Sequence, residues 1–241
     1  MINRYGCSPA LTRITRLHHV LVLYILTTCS FEQAFCQQQD FQIWQTAKVN
    51  VELTKNFRII VEEEVRFREN ASMMDRQIND LGVSYRFNKY LKTALFFRLE
   101  ADWKNADVYV WRQGLYGELA FRIEPDRFTL SYRARIQSAK TEIYKEEAVL
   151  AGGFNHRHKI SADYNIKGLP LAPFVDGELF VACYTGMGSE ISGVRAWAGM
   201  NFTPGKRHNL YLKYGTDREL SAANPLHAYA LVIGYEYTLK K

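Results

Sequence analysis

Asn56-Phe57-Arg58-Ile59-Ile60-Val61-Glu62-Glu63-Glu64-Val65-Arg66-Phe67-Arg68 is the stretch that decides the fold. Phe57, Ile59, Val61, Val65 and Phe67 fall on one face of an extended chain. Arg58, Glu62, Glu64, Arg66 and Arg68 fall on the other. A strand separates two such sets because successive side chains point to opposite sides, whereas a helix would scatter them around its surface.

The same period runs outward in both directions. Ala47, Val49, Val51 and Leu53 alternate with Lys48, Asn50 and Glu52. Leu81, Val83, Tyr85 and Phe87 oppose Asp80, Ser84 and Arg86, and Leu95, Phe97, Leu99, Ala101 and Trp103 oppose Arg98, Glu100 and Asp102. Tyr109, Trp111, Leu115, Leu119 and Phe121 oppose Arg112, Tyr116, Glu118 and Arg122. Phe128, Leu130, Tyr132, Ala134 and Ile136 oppose Ser131, Arg133 and Arg135. Weaker repeats follow, with Lys159, Asp176, Glu178, Arg195, Trp197, Tyr211 and Lys213 on the polar face and Tyr229 to Leu239 closing the series. Eleven segments alternate in this way. Tight turns such as Asn88-Lys89-Tyr90 and Pro204-Gly205-Lys206 exchange with longer polar connections. That exchange is the pattern of an antiparallel up-and-down β-barrel of outer-membrane type. Such barrels have an even number of strands, so ten or twelve are expected, with residues 144–150 the candidate for a strand missed by the alternation.

Alternation does not say which face is outward. Three features do. The polar face carries both signs at cross-strand range: Glu62, Glu64, Arg66, Arg98, Glu100, Arg133, Arg135, Glu178 and Arg195 form a ladder suited to a barrel lumen. The apolar face is graded. Phe57, Tyr85, Phe87, Phe121, Phe128, Phe202 and Tyr235 lie at the tight-turn ends, and Phe67, Trp103, Tyr109, Trp111 and Tyr229 at the long-loop ends. Aliphatic residues lie between, so the series reads as two aromatic girdles around a bilayer-facing band. The segments are also long enough for a tilted membrane crossing, and the middle residues too small to fill an apolar interior of that width. The alternative is a soluble exported barrel with its apolar face inward.

Composition agrees with one folded domain. The chain has 241 residues, 47% hydrophobic, 14% aromatic and 23% charged. Those proportions exclude a disordered chain and a bundle of transmembrane helices. Residues 1–36 read as a secretory signal. Arg4, Arg13 and Arg16 precede a short apolar run, and Ala34 and Cys36 occupy the small-residue positions of a cleavage site before Gln37. Residues 37–241 are then the barrel. Removing three Arg and one Glu reduces the formal net charge from +6 to +4, and only Cys183 of the four Cys remains.

Several pieces, in their order, resemble a family of Gram-negative outer-membrane proteins catalogued as domain of unknown function 2490. They are Trp44, Glu64-Val65-Arg66-Phe67-Arg68, Leu81-Gly82-Val83-Ser84-Tyr85-Arg86-Phe87-Asn88-Lys89 and Tyr132-Arg133-Ala134-Arg135. Asp163-Tyr164-Asn165-Ile166-Lys167, Pro173-Phe174, Glu178-Leu179-Phe180 and Arg195 continue the series over nearly the whole mature chain. The ending Leu239-Lys240-Lys241 departs from the aromatic last residue usual for barrel assembly. The resemblance implies an outer-membrane barrel of no established activity and transfers no catalytic residue.

Candidate chemistry is sparse. Ser189, Ser192 and Ser221 are loop-side hydroxyls, and Ser221 lies near His227, the one pairing open to a lipid-modifying barrel enzyme. His156 and His158 share a strand face but have no telling partner for a metal. Gly152-Gly153 and Gly186-Met187-Gly188 lack the context of a phosphate loop, and no basic run suggests nucleic acid. The expectation is a non-enzymatic barrel without cofactor, either structural or a narrow channel for small polar or anionic solutes. Its partners would be outer-membrane lipids and the barrel-assembly machinery.

Overall fold

In a computed structural model the chain is described for residues 38–240, apart from 105–107, 139–140, 144–152, 185–187 and 222–224. The signal segment and the candidate strand at 144–150 lie outside the described residues. The strands are β1 (Gln38–Glu52), β2 (Phe57–Arg68), β3 (Met73–Arg86), β4 (Leu91–Trp103), β5 (Tyr109–Ile123) and β6 (Phe128–Ser138). They continue with β7 (Thr141–Glu142), β8 (Gly153–Tyr164), β9 (Leu171–Tyr184), β10 (Gly188–Gly205), β11 (His208–Glu219) and β12 (Leu226–Lys240).

Each long strand pairs with its neighbours in sequence, β6 pairs with β8, and β12 pairs with β1. The sheet therefore closes into a barrel. β7 adds only two residue pairs to the long-loop half of β5, Arg112 with Glu142 and Gln113 with Thr141, and is no part of the wall. Eleven strands build the wall, not ten or twelve. An even number is needed only where the first and last strands meet antiparallel. Here β1 and β12 both run from the long-loop rim to the tight-turn rim and pair parallel, from Gln38 opposite Leu226 to Glu52 opposite Lys240. Parallel pairs are slightly weaker per residue than antiparallel ones. This ladder offsets that weakness by running through fifteen residue pairs without a bulge.

Turn chemistry sets the register at the tight rim. Asn88 Oδ1 accepts the backbone N–H groups of Tyr90 and Leu91 at 2.8 and 2.9 Å, which closes the β3–β4 turn. Register then fixes which face looks where, because a slip of one residue would exchange the two faces. The aliphatic face looks out: Leu81, Leu95, Ile160 and Val175 are 56%, 57%, 66% and 56% exposed. Glu100, Arg135 and Glu178 are buried inside. The faces are thus opposite to those of a soluble barrel with an apolar interior.

The closing strand yields a test. Val232 lies in β12 between Trp44 of β1 and Lys213 of β11. Val232→Pro removes the ladder N–H that this closing strand directs to β11 and leaves its acceptor unpaired, at an expected cost of about 1–3 kcal/mol on top of the lost packing. Val232→Ala keeps that N–H and is expected to cost about 1–2 kcal/mol. Urea unfolding of the detergent-solubilised protein, followed by circular dichroism, measures the difference.

Candidate functional site in the lumen

All nine charged residues expected in the lumen point inward and find partners. Lys48 meets Glu62 at 3.1 Å, and Arg66 meets Glu64 at 2.5 Å. Arg98 grips Asp80 through two bonds of 2.8 and 2.6 Å, while the Tyr116 hydroxyl donates to the same carboxylate at 2.7 Å. Glu100 lies 3.5 Å from Arg76. Arg135 reaches Glu118 at 2.5 Å. Glu178 receives Arg133 at 2.7 Å, Arg157 at 2.9 Å and Arg195 at 3.7 Å, and Arg195 also meets Asp217 at 2.5 Å. A desolvated charge is costly alone, and mixed signs within reach of one another are what let so many stand inside one wall.

The sequence reading missed part of this set. Arg157 was overshadowed by His156 and His158, although parity places the arginine inward and the two imidazoles outward. His158 Nδ1 shares a hydrogen bond with the Tyr132 hydroxyl at 2.7 Å. Apolar residues on the charged face were a second signal. Ile60, Ala94, Phe96 and Tyr116 form one buried cluster, with the Phe96 and Tyr116 rings stacked at 4.7 Å. Trp44, Trp197, Ala230 and Val232 form another, on which Tyr211 packs. Both clusters rest on glycines. A Cβ at Gly82 would overlap the Phe96 ring, and one at Gly234 the Tyr211 ring.

Between the clusters lies a polar chamber of about 210 Å³. A cavity of about 600 Å³ opens at the long-loop rim, beside Trp44, Arg66, Arg68, Arg76 and Phe180. Another of about 530 Å³ opens at the tight-turn rim, beside Arg58, Arg86, Lys92 and Arg122. The three stand in series along the lumen, with Arg66 and Arg195 lining both the loop-rim cavity and the chamber.

The residues assigned to the girdles lie on the outer face at the strand ends. At the tight-turn rim Tyr85 and Phe87 pack edge to face at 5.1 Å, Phe128 packs on Tyr164 at 5.0 Å, and Phe57, Phe121, Phe202 and Tyr235 share that end. At the loop rim Tyr109 contacts Trp103 at 5.4 Å and Trp111 at 6.1 Å, with Phe67 and Tyr229 at the same end. The pairing of Ser221 with His227 is not assembled. Ser192 and Ser221 line the loop-rim cavity, while His227 Nε2 shares a 2.6 Å hydrogen bond with Thr216 Oγ1 and stacks on Tyr229 at 4.6 Å. Among the described residues no three His, Cys, Asp or Glu side chains are grouped to hold a metal ion.

Apolar outside, ion-paired inside and closed by a parallel seam, the chain is an eleven-stranded β-barrel with a charged lumen. The model of the family described as "Protein of unknown function (DUF2490)" matches residues 41–225, and the chain belongs to that family. No curated protein and no solved structure matches the chain.

Glu178 is the keystone of the lumen. Glu178→Ala leaves Arg133 and Arg157 facing each other across a vacated carboxylate and is expected to cost about 3–5 kcal/mol. Glu190→Ala, at the exposed loop rim, is expected to stay within about 0.5 kcal/mol of the parent. Equilibrium unfolding of both variants in urea checks the contrast.

Proposed function

We propose that the chain is an outer-membrane barrel whose lumen is a narrow, anion-preferring path for small polar solutes. One observation carries the lumen reading: cations outnumber carboxylates at all three cavities in series. At the loop rim Arg66, Arg68, Arg76 and Arg195 face Asp75, Asp217 and Glu219. In the chamber nine lysines and arginines line the space against four glutamates. At the tight-turn rim Arg58, Arg86, Lys89, Lys92 and Arg122 face Glu124 and Glu236. Rings of cationic side chains lower the barrier for anions and raise it for cations.

The pairing carboxylates set back from the chamber reduce that excess without cancelling it. Arg133, Arg135, Arg157 and Arg195 share three carboxylates, Glu118, Glu178 and Asp217. Lys213 makes no ion pair among the described residues and lies over the Trp197 and Tyr211 rings at 4.9 and 5.7 Å. A cation held by ring faces keeps much of its field for the space beside it.

The membrane reading is supported by the largely apolar outer wall and the aromatic rims. It brings outer-membrane lipids as surroundings, and export by residues 1–36 and insertion by the barrel-assembly machinery as the route. Ser221 and His227 give a barrel hydrolase no support.

Two measurements test the proposal. The protein is expected in the detergent-extractable outer-membrane fraction with heat-modifiable migration; a wholly soluble pool would refute the membrane claim. In a planar bilayer under a potassium chloride gradient, the reversal potential is expected on the anion-selective side. Lys213→Met is expected to move it toward zero without loss of heat-modifiability. A reversal potential at the cation limit would refute the anion preference, and a silent bilayer would leave a purely structural barrel.

A further inference from the structure

The outer wall has one sector that the lumen does not explain. Glu63 lies at the middle of β2, and parity turns it outward, away from Glu62 and Glu64. Its cross-strand neighbours are Ala47 and Asn79, and one row nearer the loop rim Val65 stands between Gln45 and Gln77. Gln45, Glu63, Gln77 and Asn79 therefore form one polar patch on three adjacent strands. Gln77 Nε2 donates to Glu63 Oε1 at 2.7 Å, the one hydrogen bond of Glu63 among the described residues. Toward the tight-turn rim the same wall carries exposed Val61, Leu81, Val83 and Leu95. Among the described outward-facing residues at the strand middles, Glu63 is the only carboxylate, and no lysine or arginine accompanies it.

An ionisable side chain facing the hydrocarbon is expensive and marks a contact that relieves the cost. We infer that the β1–β3 outer face is the contact between two copies of this chain, with Asn79 nearest its two-fold axis and Glu63 to either side. The inference rests on the membrane reading above. Three features commit it to a second copy. Each amide of Gln45, Gln77 and Asn79 both donates and accepts, so the patch complements itself across a two-fold axis. Under that symmetry the unused acceptor capacity of Glu63 meets amide donors of the other copy, and no cation is required. Two convex barrels touch along a few strands only, and three strands spaced about 4.8 Å apart give the patch the width of such a contact. Interhelical amides are a known source of association in lipid, where no water competes for them.

Cysteine crosslinking in native outer membranes tests the inference, in a Cys183→Ala background. Asn79→Cys is expected to yield a disulfide-linked dimer. Val175→Cys, on the far wall, is expected to yield none. Adding Glu63→Leu and Gln77→Leu is expected to reduce the Asn79→Cys dimer about tenfold while heat-modifiable migration persists. Three outcomes would overturn the contact: membrane-embedded monomers only, equal crosslinking from Val175→Cys, or an Asn79→Cys adduct to a different protein. Recovery of the chain outside the membrane fraction would instead overturn the reading on which the contact depends.

Discussion

The parallel ladder between β1 and β12 is the constraint on which the rest of the barrel depends. An open sheet of eleven strands would end in two rows of unpaired N–H and C=O groups, free to template another chain and untenable in lipid. Closing it joins the strands most distant in sequence. Closure in register also settles the parity of the wall. Trp44 pairs with Val232 on the inner face and Val49 with Tyr237 on the outer, so both faces continue unbroken across the seam. Without that continuity the charged interior and the apolar exterior would exchange partway round.

The interior then follows from how charges behave away from bulk water. Each arginine brought inside loses hydration that only a nearby carboxylate or a ring face restores. The lumen uses both. Arg98 has the paired oxygens of Asp80 and lies 5.1 Å above the Tyr116 ring; Arg66 has Glu64 and lies 3.7 Å above the Trp44 ring. The two aromatic clusters therefore do more than occupy volume. They narrow the bore to the central chamber and hold part of its positive charge where carboxylates run short.

How much of this could be read in the sequence depended on which rule each element obeyed. Period-two alternation assigned the correct face to every strand where it was traced, because side-chain direction in a strand depends on nothing beyond the residue's place in the count. The alternation counted the eleven wall strands; the shift to ten or twelve had a different source. It came from a rule about how barrel ends usually meet, and that meeting is decided by long-range pairing of β1 with β12. Arg157 was missed because its neighbours invited a metal reading. Ile60 and Phe96 were legible only as interruptions of the charged face, and their meaning needed the partners that stack on them. Glu63 was hidden within Glu62-Glu63-Glu64, where three like residues disguise that the middle one looks the other way. The pairing of Glu178 with arginines from β6, β8 and β10 needed the register of several ladders and had no local signature.

The odd number of wall strands has one more effect. A barrel of hairpins alone returns its last strand to the rim where the first began. This wall is crossed one extra time, so Gln38 stands at the long-loop rim and Lys240 at the tight-turn rim. In a bilayer the two ends of the folded domain belong to different compartments. On the membrane reading proposed above, anything joined ahead of β1 would be presented on one side, and anything joined after β12 on the other.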